Sequence, residues 1–307
     1  MHRVRDEVEK AVVGQGGTIT GLLVALLARG HVLLEGVPGV AKTLVVRSFS
    51  RALGLDTTRV QFTPDLMPGD VTGSLIYDAR SGEFEFRRGP VFTHILLADE
   101  INRTPPKTQA ALLEAMEERQ VSTDGGTHSL PDPFLVAATQ NPIEHEGTYQ
   151  LPEAQLDRFL LKLVVDMPDR ESEVAVLRRH ADGFSPRALS DLSAVVTAEE
   201  IRAAQEAVDA VSVTDEVLGY VVDLARASRH SPSVQLGASP RAATALLAAA
   251  KAWAWLSGST AVTPDHVQTM LVPVWRHRLQ LQPDAEMEAI TADAVLSSVV
   301  QQTRVPI

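Results

Sequence analysis

The chain has 307 residues, of which 45% are hydrophobic and 22% charged, with a net charge of −11 and no cysteine. That length holds two ordinary domains, and without cysteine there can be no disulfide, thiolate catalysis or Cys-based zinc site. The acidic balance repels nucleic-acid phosphates and anionic lipid at long range, so neither is expected as a partner.

The nine histidines are scattered, without HExxH or HxxxH spacing, and suggest no metal site. The opening MHRVRDEVEKAVVG carries charges where a signal peptide needs an apolar run. The stretch Gly21 to Ala28 is too short to span a membrane, which takes ~20 apolar residues. A cytoplasmic chain with no membrane insertion is expected.

Strands are expected at 31–35, 58–62, 94–98, 134–139 and 160–165, several of them nearly continuous apolar runs, as in parallel strands buried on both faces. Thr104-Pro105 reads as the N-cap and first residue of a helix through KTQAALLEAMEER. The alternation implies an α/β domain with a parallel sheet. Two polar segments look inserted: 73–86, turning at Ser81-Gly82 with alternating Tyr77, Phe84 and Phe86, and 120–134, turning at Asp124-Gly125-Gly126.

Beyond about residue 185 the pattern is helical. Thr197 and Glu200 make a capping box for a helix to about Val211. Thr214 opens a second, with Val217, Leu218, Val221, Val222 and Leu224 on its apolar side. Ser239-Pro240 opens a third that stops at Ser257-Gly258, Thr263-Pro264 a fourth, and 291–302 forms a fifth. The domain boundary is placed near 184–190, giving domains 1–185 and 186–307.

The first strand runs into Gly36-Val37-Pro38-Gly39-Val40-Ala41-Lys42-Thr43, the pattern GxxxxGK[ST] with alanine at its second glycine. Loop amides and a helix N-terminus would face the β-phosphate. Lys42 would reach the β- and γ-phosphates and the Thr43 hydroxyl would bind Mg²⁺. A turn that merely uses glycines leaves Lys42 unexplained, since a cation opposes the helix dipole there unless an anion is bound. A negative φ at Ala41 would keep its methyl clear of the phosphates.

Ile95-Leu96-Leu97-Ala98-Asp99-Glu100 is an apolar strand ending in two carboxylates. Asp99 can hold a magnesium-bound water and Glu100 can polarise the water that attacks the γ-phosphate. Thr139-Gln140-Asn141-Pro142 ends another strand, where an amide can orient that water.

These motifs, with LLEGVPGVAKT, LLADEINRTPPKTQAALLEAMEERQV, ATQNPIEHEGTYQLPEAQLDRF and GASPRA, resemble the MoxR-type AAA+ ATPases over residues 4–290. The resemblance implies a P-loop AAA+ fold: a five-stranded parallel sheet followed by an all-helical lid. It identifies Gly36–Thr43 with Walker A, Asp99 and Glu100 with Walker B, and Asn141 with sensor 1. It identifies Val13, Gly14 and Gln15 with the adenine pocket. Arg158 resembles the arginine finger acting on a neighbour's nucleotide, and Arg241 the sensor 2. The inserts, about 73–92 and 120–134, resemble the helix-2 insert and the pre-sensor-1 hairpin. From the residues alone, Arg158 is equally an internal partner of Asp157 or Glu153. Arg241 stands second in a capped helix, whence it can reach a bound γ-phosphate. The function implied is ATP hydrolysis with Mg²⁺ in a ring, a hexamer, that remodels client protein complexes, with partners that carry a von Willebrand factor A domain. The alternatives are a nucleic-acid motor, whose basic residues Arg80, Arg87 and Arg88 are offset by Asp78, Glu83 and Glu85, and an ATP-dependent switch with little turnover.

Overall fold

The computed structural model describes residues 1–80, 82–123, 125–142, 148–183, 189 and 191–306. The expected turn residues Ser81 and Asp124, residues 143–147 and most of the expected boundary at 184–190 lie outside the described residues.

Helices α1 (His2–Glu9) and α2 (Gly16–Leu27) precede strand β1 (Val32–Glu35), which leads through the glycine loop into α3 (Lys42–Leu53) and β2 (Thr57–Gln61). A short α4 (Pro68–Thr72) opens the first insert, β3 (Gly73–Asp78) with β4 (Glu83–Arg88). Then come β5 (Ile95–Asp99), α5 (Pro106–Glu118), the second insert of β6 (Gln120–Thr123) and β7 (Gly126–Ser129), and β8 (Leu135–Gln140). A one-turn α6 (Glu153–Leu156), β9 (Leu161–Val164) and α7 (Arg170–Ala181) follow. Each of the five expected sheet strands forms within one residue of its expected bounds.

The sheet order is β2-β5-β8-β1-β9, all parallel. Its strands alternate between two cores, as period-2 side chains must. Val32, Leu34, Ile95 and Leu97 face the core shared with α1–α3, whereas Leu33, Leu96, Ala98 and Val136 face α5 through Leu112, Leu113 and Met116. Both inserts are antiparallel hairpins, and they touch: the Phe86 ring stacks on His128 at 4.0 Å. Of the expected aromatic alternation, Tyr77 and Phe84 pair across the first hairpin and stay exposed.

The remaining chain is α8 (Ala198–Asp209), α9 (Asp215–His230), β10 (Val234–Leu236), α10 (Pro240–Leu256), α11 (Pro264–Trp275), β11 (Gln280–Leu281), α12 (Pro283–Met287) and α13 (Ala292–Gln302). The helical lid thus carries one small antiparallel ribbon, β10 with β11. The capping box forms as expected: Glu200 N–H donates to Thr197 Oγ1 at 3.2 Å and Thr197 N–H to Glu200 Oε2 at 2.8 Å. Ser239 caps α10 through Ala242 N–H at 3.1 Å. The lid docks on the strand domain through one continuous apolar cluster, which includes Leu22 and Leu26 of α2, Ile201 and Val208 of α8, and Leu246 and Trp275. Gln205 adds a bond to the Leu26 carbonyl at 2.7 Å. Among the described residues no helix is long and apolar enough to cross a membrane.

Three local expectations are corrected. Helix α5 starts at Pro106, with Pro105 as its N-cap, and Thr104 is buried with its hydroxyl unpartnered. Pro106 pushes the residue before it out of the helical region, so the helix cannot begin earlier. On α9, Leu218 and Val222 are 39% and 51% exposed, because they lie outside the stripe of Val217, Tyr220, Val221, Leu224 and Ala225 that meets the core. Ala41 has φ +65° and ψ 19°, left-handed rather than negative, and the next residue begins α3. A methyl-bearing residue pays about 1 kcal/mol or more for that conformation.

His31 lies buried between β1, β8 and α5. Its Nδ1 accepts from Val136 N–H at 3.0 Å and its Nε2–H donates to the Met116 carbonyl at 3.1 Å. Burial, helped by the nearby Arg119 charge, pushes its pKa down to about 3. Burial also holds His277, bonded to the Phe159 carbonyl at 2.9 Å, well below the usual histidine range.

Two outcomes are expected. Unfolded histidines take up protons near pH 6.5 while these two stay neutral in the fold, so stability is lost as pH falls through that value. Between pH 6.5 and 5.5 the loss is about 2 kcal/mol, measurable as the urea midpoint, and His31→Gln should remove about half of that dependence. Second, Ala41→Gly should raise the thermal midpoint of the nucleotide-free chain by about 1–3 °C, since relief of the left-handed strain outweighs the added freedom of the unfolded chain. A lower midpoint would show that the methyl is not strained.

Candidate nucleotide site

The site sits at the carboxyl ends of β1, β5 and β8, where open parallel sheets bind ligands. The glycine loop is tight. A Cβ on Gly36 would lie 2.5 Å from the Val165 carbonyl oxygen, and Gly39 has φ +89°. No side chain caps α3, so its first N–H groups face the cleft as an anion site. Lys42 folds its ammonium back onto the carbonyls of Gly36 and Val37, the latter at 3.0 Å. The cleft measures about 600 Å³, and its walls include Pro38 through Thr43, Asp99, Glu100 and Asn141.

Asp99 is 7% exposed. Its Oδ1 accepts from the Thr139 hydroxyl at 2.6 Å, and that hydroxyl oxygen accepts Glu100 N–H at 2.9 Å. Its Oδ2 accepts from the Thr43 hydroxyl at 3.3 Å and from Arg59, through Nε at 3.0 Å and Nη2 at 2.7 Å. Glu100 has φ +58°, which turns its carboxylate away from the strand line. There its Oε2 accepts from Gln61 Nε2 at 2.6 Å and pairs with Arg103 at 3.1 Å. Asn141 is buried on the cleft wall, while Gln140 donates to Glu35, which also pairs with Lys162 at 2.9 Å.

The donor set fits a hard cation. Thr43 and Asp99 offer a hydroxyl and a carboxylate oxygen on one side of the cleft. Among the described residues no group of three or more His, Cys, Asp or Glu is arranged to hold a metal. Mg²⁺ suits such a sparse site, because it keeps waters and substrate phosphates as its remaining ligands.

An apolar pocket of about 380 Å³ adjoins the cleft. Val13 and Gln15 line it, whereas Gly14 lies behind it at φ +75°, where a Cβ would meet the Ser172 hydroxyl at 2.9 Å. Gln15 is held by Thr18 and the Asp166 carbonyl. The opposite wall is α7, whose Val176, Leu177 and His180 face the pocket, with Val176 and His180 also reaching the cleft. Sequence reasoning missed this helix because it buries no residue fully, and Leu177 stays 69% exposed. Arg59, Gln61 and Thr139 were missed too; the one available signal was two polar residues alternating on an edge strand, in TRVQF.

The two expected arginines come together, but away from this cleft. Arg158 Nε pairs with Glu117 Oε2 at 3.1 Å, and not with Asp157 or Glu153. Arg241 pairs with Glu117 Oε1 at 3.0 Å and Asp157 Oδ2 at 3.2 Å. Neither lines the cleft of its own chain. The lid docks so that α10 begins beside α5 and α6, which sets Arg241 on Glu117 and Asp157 and apart from the cleft of its own chain.

Residues 31–161 match the model of the ATPase family associated with various cellular activities, AAA, and residues 226–299 match the AAA lid domain. The protein YeaC of Bacillus subtilis is 47% identical over 98% of this chain and 93% of its own length. The chaperone MoxR1 of Mycobacterium tuberculosis is 44% identical over 100% of this chain and 82% of its own. A crystal structure of a protein from Cytophaga hutchinsonii superposes with a TM-score of 0.90 at 39% identity, over 99% of this chain and 94% of that one. The fold, the two family models and relatives 44–47% identical over nearly the whole chain agree, and the chain belongs to the MoxR-type AAA+ ATPases.

Proposed function

We propose that this chain binds ATP with Mg²⁺ in the cleft and hydrolyses it at the interfaces of a homo-oligomeric ring, a hexamer. The ring works in the cytoplasm as a chaperone-like machine that remodels client protein complexes, with von Willebrand factor A domain proteins as the partner class. The observation that carries this reading is the division of the site. Lys42, Thr43, Asp99, Glu100 and Asn141 share one cleft, while Arg158 and Arg241 share Glu117 outside it.

The chemistry follows from that division. Loop amides and Lys42 bind the phosphates, and the base lies in the apolar pocket between Val13 and α7. Bound at Thr43 and Asp99, Mg²⁺ would supply charge neutralisation on the phosphates. Glu100 takes a proton from the attacking water, which Asn141 orients. The water oxygen bonds to the γ-phosphorus, and the bond from that phosphorus to the bridging oxygen breaks, leaving ADP and phosphate. Charge that develops on the phosphoryl oxygens meets Arg158 and Arg241 from the neighbouring subunit. A nucleic-acid motor is less well supported, because acidic residues offset the first insert's arginines and the described residues of the second have no Lys or Arg before β8.

Glu100→Gln should keep ATP affinity and lose about 10²- to 10⁴-fold in turnover, since an amide cannot accept the proton. Phosphate release at the parent's rate would remove Glu100 from the mechanism. The assembly claim is tested by mixing. Turnover per subunit should rise with protein concentration, and Arg158→Ala and Arg241→Ala should each keep nucleotide affinity yet depress turnover, the first by about 10³-fold. Rings mixed from Arg158→Ala and Glu100→Gln subunits should recover partial activity, because some interfaces then hold an intact Glu100 opposite an intact Arg158. Mixed rings that form and stay inactive would place Arg158 within its own chain.

A further inference from the structure

Asp99 has one oxygen to offer a cation, and that oxygen is already engaged. Thr139 takes Oδ1 at 2.6 Å. Oδ2, beside the Thr43 hydroxyl, accepts two hydrogen bonds from one guanidinium, that of Arg59. A carboxylate oxygen that accepts three hydrogen bonds, two from Arg59 and one from the Thr43 hydroxyl, has little left for the hydration shell of a metal. The pairing is built by the sheet. Gln61 is the register partner of Asp99 on the edge strand β2, so Arg59, two residues earlier and on the same face, reaches diagonally along the strand to the carboxylate. Gln61 also accepts from Arg59 Nη2 at 2.9 Å, which holds the guanidinium in place.

We propose that Arg59 is a resident counter-cation of Asp99 which competes with Mg²⁺ for Oδ2, so that metal-loaded nucleotide enters only by displacing its guanidinium. The inference rests on the nucleotide reading of the cleft. Two features make the exchange feasible. The Asp99 carboxylate is buried, so an uncompensated charge there is costly and some cation must always face it. The Arg59 side chain is half exposed and also lines an open groove of about 550 Å³ beside the cleft, which can take the displaced guanidinium. Arg59 therefore sets the Mg²⁺ concentration at which the site closes on nucleotide, acting through Asp99 rather than on the substrate.

The test is a binding measurement on the full-length chain with N-methylanthraniloyl-ATP. The fluorescent analogue is titrated in EDTA, and Mg²⁺ is then titrated at fixed analogue. Arg59→Gln should lower the Mg²⁺ midpoint about tenfold and leave the affinity in EDTA within about twofold of the parent. Arg59→Lys, which keeps the charge but cannot donate two bonds to one oxygen, should fall between. An unchanged or raised midpoint in Arg59→Gln, with parent-like circular dichroism, would overturn the proposal. Weakened binding in EDTA would overturn it too, by making Arg59 a phosphate ligand. If the parent bound no analogue at any Mg²⁺ concentration, the nucleotide reading itself would fall and this inference with it.

Discussion

Asp99 is a carboxylate walled in at the end of β5, and the polar side of the cleft is organised around its charge. Water reaches little of it, so the fold must supply donors. Thr139 from β8, Thr43 from α3 and Arg59 from β2 converge on it from three elements. Each of these residues is positioned by a parallel strand or by the helix that follows one. The Thr139 hydroxyl also fixes Glu100 by accepting its N–H, so the second carboxylate inherits its place from the first. A change in what faces Asp99 is therefore felt at Glu100 without any movement of the sheet.

On the proposed reading the other half of the chemistry lies elsewhere, on Glu117 at the end of α5. Two arginines from distant segments share this one carboxylate, and Asp157 joins Arg241 to Arg278 at 2.5 Å. Arginines pack side by side only when acids separate them, since like charges at that range repel. The cluster thus keeps two planar donors together and partly exposed. On the proposed reading a single subunit holds both halves of a site, facing different neighbours.

The sheet was legible in the sequence because buried parallel strands are continuous apolar runs such as HVLLE and HILLA, and the glycine loop and paired carboxylates stand at their ends. The capping box at Thr197 and Glu200 was legible because it depends on four adjacent residues. What escaped were features set by tertiary docking. Nothing in Ser239-Pro240-Arg241 says that α10 begins beside Glu117 instead of over the phosphate loop. Helix α7 lacked a clear apolar face because it covers a pocket rather than a core. The left-handed Ala41 was missed for a different reason. Strain is a property of the backbone path, and alanine at a glycine position is equally readable as evidence that the path is ordinary.

The lid docking limits how nucleotide can move the molecule. One apolar cluster runs from α1 and α2 through α8 to α10, α11 and α13, with the buried Gln205 bridging α8 to α2, and His277 and Arg278 bond the lid to the carbonyls of Phe159 and Asp157. Opening that contact would expose a large buried area, at roughly 25 cal/mol per Å². The packing therefore opposes separation of lid and sheet. Helix α7, by contrast, touches both the apolar pocket and the cleft through Val176 and His180 and buries no residue fully. On the proposed reading, the responsive element across the ring is the arginine pair. If nucleotide is held between them, its hydrolysis releases the neighbour's lid together with the neighbour's whole sheet, and the inserts carried on that sheet shift with it. On the proposed reading, this packing favours motion passed between subunits over closure of a lid over its own site.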